Sequence, residues 1–175
     1  MNRFRPALLV VLTALTACAP AATTGRYRPA GSDKAVMASH PPVMQPGELA
    51  VVAAYRHFNA VVESVLADDD PRPIRTVATG PEAVHLEQSV HAQMRQGVIR
   101  RGHSALSPQA AVLPDGRAIV VDCVVSTGLW SYDRRTGRPV GQPPSPLRTA
   151  FRAMLVRDGR VWKVSDTSIP DDPRC

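Results

Sequence analysis

The chain has 175 residues, about one domain's worth, and its 44% hydrophobic, 21% charged and 5% aromatic content belongs to a globular chain rather than a disordered or multi-span one. Basic side chains exceed acidic ones by 21 − 15 = 6, but 19 of the 21 are Arg, a bias that GC-rich coding produces as readily as selection for charge. The high pI is therefore weak evidence about partners, and no collagen period, coiled coil or internal repeat is present.

The sharpest signal comes first. Asn2-Arg3-Phe4-Arg5 is a short cationic segment, and Ala7 to Ala14 is an apolar run too short to span a bilayer, which takes about 20 residues. Residues 1–17 read as a secretion signal. They lead into Leu15-Thr16-Ala17-Cys18, which resembles the bacterial lipobox: a Leu and two small residues before the cysteine that receives a diacylglyceryl group. The resemblance implies a mature chain that begins at Cys18, carries palmitate-like acyl chains and is anchored at the extracytoplasmic face of the cell membrane. Two or three acyl chains, at about 0.8 kcal/mol per buried methylene, hold a protein far more firmly than one. Loss of Arg3 and Arg5 lowers the balance to 19 − 15 = +4.

With Cys18 acylated, Cys123 and Cys175 remain in an oxidising compartment, where a disulfide persists. A bridge between them would pin a C-terminal tail that would otherwise fray. A catalytic thiol or a metal site finds no His or Cys at ligand spacing from either residue.

Residues 18–46 hold five Pro among Ala, Thr, Gly and Ser, and read as a tether between anchor and domain. The folded domain is expected over 47–175. Val51, Tyr55, Phe58, Val62 and Val65 recur at steps of three and four, one face of a helix from Gly47 to about Ala67. Asp68-Asp69-Asp70 follows as a solvated turn, and Pro71 and Pro73 end the element. Thr79-Gly80-Pro81-Glu82 has the form of a capping box opening a second helix, with Val84, Glu87, Val90 and Met94 as its face and Gly97 as its stop. His85 and His91 lie on different sides of that helix and cannot share a metal.

From Val98 the apolar period falls to two. Strands are expected over 98–112, 117–126, 147–157 and 160–168, with turns at Pro114-Asp115-Gly116 and Asp158-Gly159. Tyr132 to Pro146, with its Arg pair and four prolines, reads as an exposed loop. Helices first and antiparallel strands afterwards predict an α+β fold with N-terminal helices packed on one face of a curved sheet.

That order, together with the final hairpin Asp158-Gly159-Arg160-Val161-Trp162-Lys163-Val164, resembles the nuclear transport factor 2-like superfamily. This is the cone-shaped, cystatin-like fold of ketosteroid isomerase and polyketide cyclases. Val121-Asp122-Cys123, Tyr132-Asp133, Thr136-Gly137 and the terminal Cys175 are similar to secreted lipoproteins of high-GC Gram-positive bacteria. The fold hosts enzymes, ligand binders and structural domains alike, so function must come from the residues.

Enzymes of the superfamily work from ionisable groups inside the cone, and Asp122, between Val120 and Val124 on one strand face, is the acid in that position. It is a weak catalytic candidate, suited to proton transfer only if burial raises its pKa. The preferred alternative is a carboxylate that satisfies backbone donors or pairs with Arg148 or Arg152. The isomerase's Tyr and second acid do not carry over, since Tyr55 falls on a core-like helix face and Tyr132 in a loop. Nucleophile elbows, phosphate loops and zinc motifs are missing from the sequence, and no cofactor or metal is expected. Trp130, Tyr132 and the Arg134-Arg135 pair could form a stacking or anion patch facing lipid head groups, against the plainer reading of an aromatic hairpin anchor with solvated charges. The sequence thus predicts an envelope protein with a non-catalytic binding or scaffolding domain. Its expected partners are the membrane and an envelope protein. A carrier of an apolar small molecule, or an isomerase- or cyclase-like enzyme, is the alternative, and nucleic acid is not a partner.

Overall fold

The structure, a computed structural model, describes residues 44–175; the expected signal peptide, Cys18 and nearly all of the expected tether lie outside the described residues. The domain is α+β. Helix α1 (Pro46–Asp68), a single turn α2 (Ile74–Val77) and helix α3 (Gly80–Gln96) precede eight strands: β1 (Val98–Arg101), β2 (Ser104–Ala105), β3 (Gln109–Val112), β4 (Ala118–Ser126), β5 (Trp130–Asp133), β6 (Pro139–Val140), β7 (Leu147–Asp158) and β8 (Val161–Ser168).

All strand pairs in the two sheets are antiparallel. In the main sheet β2 and β3 lie end to end along one edge of β4, followed by β7 and then β8. A smaller sheet, ordered β1, β5, β6, continues beyond it as a lip. The sheets do not close into a barrel. The free edge of β8 is partly covered where Ala78 bridges Val164 and the Thr79 N–H donates to the Val164 carbonyl, which blunts an edge that would otherwise invite pairing.

The helices bury one side each against the inner face of the main sheet. Val51, Tyr55, Phe58 and Val65 of α1 meet Ile74 and Val77 of α2, Ala83, Leu86 and Val90 of α3, and Val120, Ala153, Leu155, Trp162 and Val164 of the strands. By length and composition α1 could also cross a membrane, but its apolar face is committed to this core.

Several sequence expectations shift. The single strand expected over 98–112 is three short ones, broken at Gly102-His103 and before Pro108, which has no N–H to give a ladder. The loop expected from Tyr132 is in part the β5–β6 hairpin. Asp133 makes its turn by accepting from Thr136 through both the backbone N–H and the hydroxyl, each at 2.7 Å. The inward face of α3 is turned by about one residue from the expected one. Ala83, Leu86, Val90 and Gln93 face in, while Val84 and Met94 are exposed. Nor does Glu82 reach back to cap the helix: its carboxylate is buried and accepts from the Thr167 hydroxyl of β8 at 2.8 Å.

One member of the aspartate run after α1 departs from the expected solvated turn. Asp69 adopts a left-handed conformation (φ 60°) that ends the helix, and its side chain is buried. There it accepts from Gln93 Nε2 at 3.1 Å and pairs with Arg134 Nη1 at 2.9 Å. Gln93 also donates to the Leu66 carbonyl at 2.9 Å. One buried amide thus ties α3 to the end of α1, and one ion pair ties both to the lip.

Candidate functional site

Alternation along β4 decides what each of its side chains meets. Ala118, Val120 and Asp122 point into the core, while Val121 and Val125 are exposed on the opposite face, beside Cys123. Cys123 is bonded to Cys175, with 5.8 Å between the Cα atoms. The tail is also held where the Ala150 N–H donates to the Pro173 carbonyl at 2.7 Å.

Asp122 is 2% exposed. Its Oδ1 accepts from the Ser107 N–H at 2.7 Å, at the gap between β2 and β3 where the ladder along β4 is interrupted. The carboxylate thus takes the place of the missing strand partner for this donor. Neither Arg148 nor Arg152, the expected ion-pair partners, pairs with it among the described residues. Arg148 Nε instead lies 3.1 Å from Cys123 Sγ.

The second neighbour of Asp122 is one that the sequence did not assign. Tyr55 of α1 is fully buried, and its hydroxyl is pushed well above its ordinary pKa by burial first and by the Asp122 charge second. Asn59, one turn along α1, opposes that shift. The signal that could have found the pair was the Tyr on the same helix stripe as Val51 and Phe58, since the stripe must face the only buried acid of the adjacent strand.

Beside this pair is a pocket of about 200 Å³ between α1 and the sheet. It is lined by apolar Val62, Val124, Leu129 and Phe151 and by polar groups that include Asn59 and Glu63. Glu63 is already engaged, accepting from the Ser104 N–H at 2.8 Å and facing His103 Nδ1 at 3.1 Å. Asp122 and Tyr55 do not line this pocket; Asn59 is the residue shared between the two. Among the described residues no group of three His, Cys, Asp or Glu side chains is placed to hold a metal ion.

On the lip, Trp130 and Tyr132 form the expected aromatic pair, their ring centroids 5.4 Å apart. The cation on it is Arg101, 5.2 Å from the Tyr132 centroid. It is not a member of the Arg134-Arg135 pair, since Arg134 is drawn away to Asp69.

No model of a known protein family matches the chain, and no curated protein matches it. Among solved structures, the intermembrane space region of the chloroplast protein ARC6 superposes with a TM-score of 0.60 at 14% identity, covering 73% of this chain and 98% of that one. An uncharacterized protein with a cystatin-like fold from Caulobacter vibrioides gives a TM-score of 0.41 at 10% identity, over 69% of this chain and 89% of its own. At such identities the likeness to the ARC6 region concerns the fold alone, helices packed on an open antiparallel sheet.

Proposed function

We propose that this is a lipid-anchored protein of the cell envelope, held at the extracytoplasmic face of the membrane through Cys18, whose nuclear transport factor 2-like domain is a non-catalytic binding or scaffolding module. The anchor is supported by the order of cationic segment, short apolar run and Leu15-Thr16-Ala17-Cys18. The non-catalytic reading rests on one observation above all. Asp122, the acid that β4 turns inward, accepts from Ser107, lies against Tyr55 and is absent from the lining of the pocket. A general acid or base must come within hydrogen-bond reach of its substrate; one oxygen of this carboxylate serves the strand gap, and the other is buried away from the pocket.

The pocket favours a second reading, a small-molecule carrier. Its volume of about 200 Å³ lies below the roughly 300–1,000 Å³ of sites for drug-sized ligands, so its occupant would be small and largely apolar. Native mass spectrometry of the full mature chain, released intact from detergent micelles, separates the two. A bare chain is the result expected of a scaffold whose partner is another envelope protein. A retained small molecule whose occupancy falls on Phe151→Ala replaces that reading with the carrier.

A further inference from the structure

The lip is chemically unlike the rest of the domain. Residues 97–114 and 134–157 contain no Asp or Glu. The acid between them on β5, Asp133, is used inside its own turn. Among the described residues Arg100, Arg101, Arg135 and Arg138 make no ion pair. Strand register places Arg101 opposite Trp130 and Ile99 opposite Tyr132, so cation and aromatics share one face. Pro143 and Pro144 return over Gly128 to frame an open groove of about 320 Å³ on Trp130 and Tyr132. Leu129, next to Trp130 in the chain, is 48% exposed, whereas Val140, 46% exposed, pairs with Ser131 and lies on the other face of the hairpin.

Guanidinium groups free of carboxylates match phosphate oxygens. Tyr132, with one apolar and one polar end, has the form that settles at the headgroup level of a bilayer, and beside it the partly exposed Trp130 ring adds apolar surface while keeping its Nε1 buried. An exposed Leu129 at the same tip suits the acyl boundary just beneath. From this conjunction we infer that the lip is a docking surface for an anionic phospholipid bilayer. The inference deepens the envelope reading, which supplies the bilayer's proximity, while the docking chemistry belongs to the lip itself.

Reach does not forbid it. Gly47 at the start of α1 lies by Val112 and Glu63 near its end lies by His103, so the chain enters the domain at the end away from the lip. The 23 residues of α1 span about 35 Å. The 45 − 18 = 27 residues from Ala19 to Gln45 cover up to about 90 Å when extended, more than enough for lip and anchor to meet one bilayer.

The test uses the full chain with vesicles of brominated phosphatidylcholine, with and without phosphatidylglycerol. Trp162→Phe leaves Trp130 as the single Trp of the two in the chain. If that core change unfolds the domain, subtraction of a Trp130→Phe chain gives the same readout. Trp130 emission is expected to be quenched in the vesicles containing phosphatidylglycerol and not in pure phosphatidylcholine. Arg135→Glu/Arg138→Glu, in the exposed turn, is expected to lower lip docking by at least about thirtyfold, from roughly 1 kcal/mol per basic residue near an anionic surface. Equal quenching in both vesicle types, no quenching in either, or indifference to the charge reversal overturns the proposal, as does release by millimolar inorganic phosphate, which marks a free-anion site instead. Flotation with pure phosphatidylcholine reports the acyl anchor separately, so failure of the anchor and failure of the lip are distinguishable.

Discussion

Removing the disulfide should cost a large part of this domain's stability, and the structure sets the size. The bridge joins residues 52 apart in sequence. A closed loop of that length reduces the entropy of the unfolded chain by about 14 cal/mol/K, or about 4 kcal/mol at 25 °C in the chain-entropy model. Small domains hold only about 5–15 kcal/mol in total. The folded state changes little by comparison: the tail is exposed, and its described tie to the sheet besides the bridge is the Ala150 N–H to Pro173 carbonyl bond. Urea unfolding of the oxidised chain, of Cys123→Ala/Cys175→Ala and of a chain ending at Asp172 measures both parts. The double variant should lose about 2–4 kcal/mol, with the truncated chain close to it. A loss under about 1 kcal/mol refutes the loop-closure reasoning. A truncated chain much less stable than the double variant shows that tail contacts, rather than the cross-link, carry the effect.

Asp122→Ala removes the acceptor of the Ser107 N–H and should cost about 1–3 kcal/mol more than Asp122→Asn, which keeps an acceptor there; equal losses in chemical denaturation would remove the strand-gap role. Burial holds the Glu82 carboxyl above its ordinary pKa, against the opposing Thr167 hydrogen bond. The folded state therefore binds the proton more tightly than the unfolded one, and the cost of ionising the buried group appears as pH rises through the folded pKa. Glu82→Gln should match the native chain near pH 4 and exceed it in thermal stability at pH 7, and the opposite order would contradict the assignment. Gly102 lies where the main sheet gives way to the lip, and a Cβ there would collide with the Gly128 carbonyl oxygen. Gly102→Ala should therefore destabilise the domain by about 2 kcal/mol or more, read from its melting temperature, whereas Gly116→Ala, with open space around it but a φ of 82°, should cost about 1–2 kcal/mol from backbone strain alone.

What could be read from the sequence was whatever a single periodicity controls. The α1 stripe from Val51 to Val65 and the alternation of Val120, Asp122 and Val124 each follow from one repeat, and both stand in the structure. The disulfide was legible because setting Cys18 aside as the expected acylation site left one pair of the three cysteines. What was hidden depends on polar residues that are buried only because distant residues complete them. Gln93 and Glu82 look solvent-facing in a helix pattern, so the inward side of α3 was placed one residue away. Asp69 looks like one of three solvated acids until Gln93, 24 positions on, and Arg134 close over it. Tyr55 and Asp122 likewise meet only through the packing of α1 on β4, and no local spacing records that contact.

The central claim is that this domain is held at a membrane by its own lipid, and the mass of the chain taken from its membranes tests it most directly. Intact mass spectrometry, with fragmentation of the N-terminal peptide, should find a chain that begins at Cys18 with a diacylglyceryl thioether on its sulfur. A chain that retains residues 1–17, or one cleaved elsewhere with a free Cys18 thiol, would contradict it.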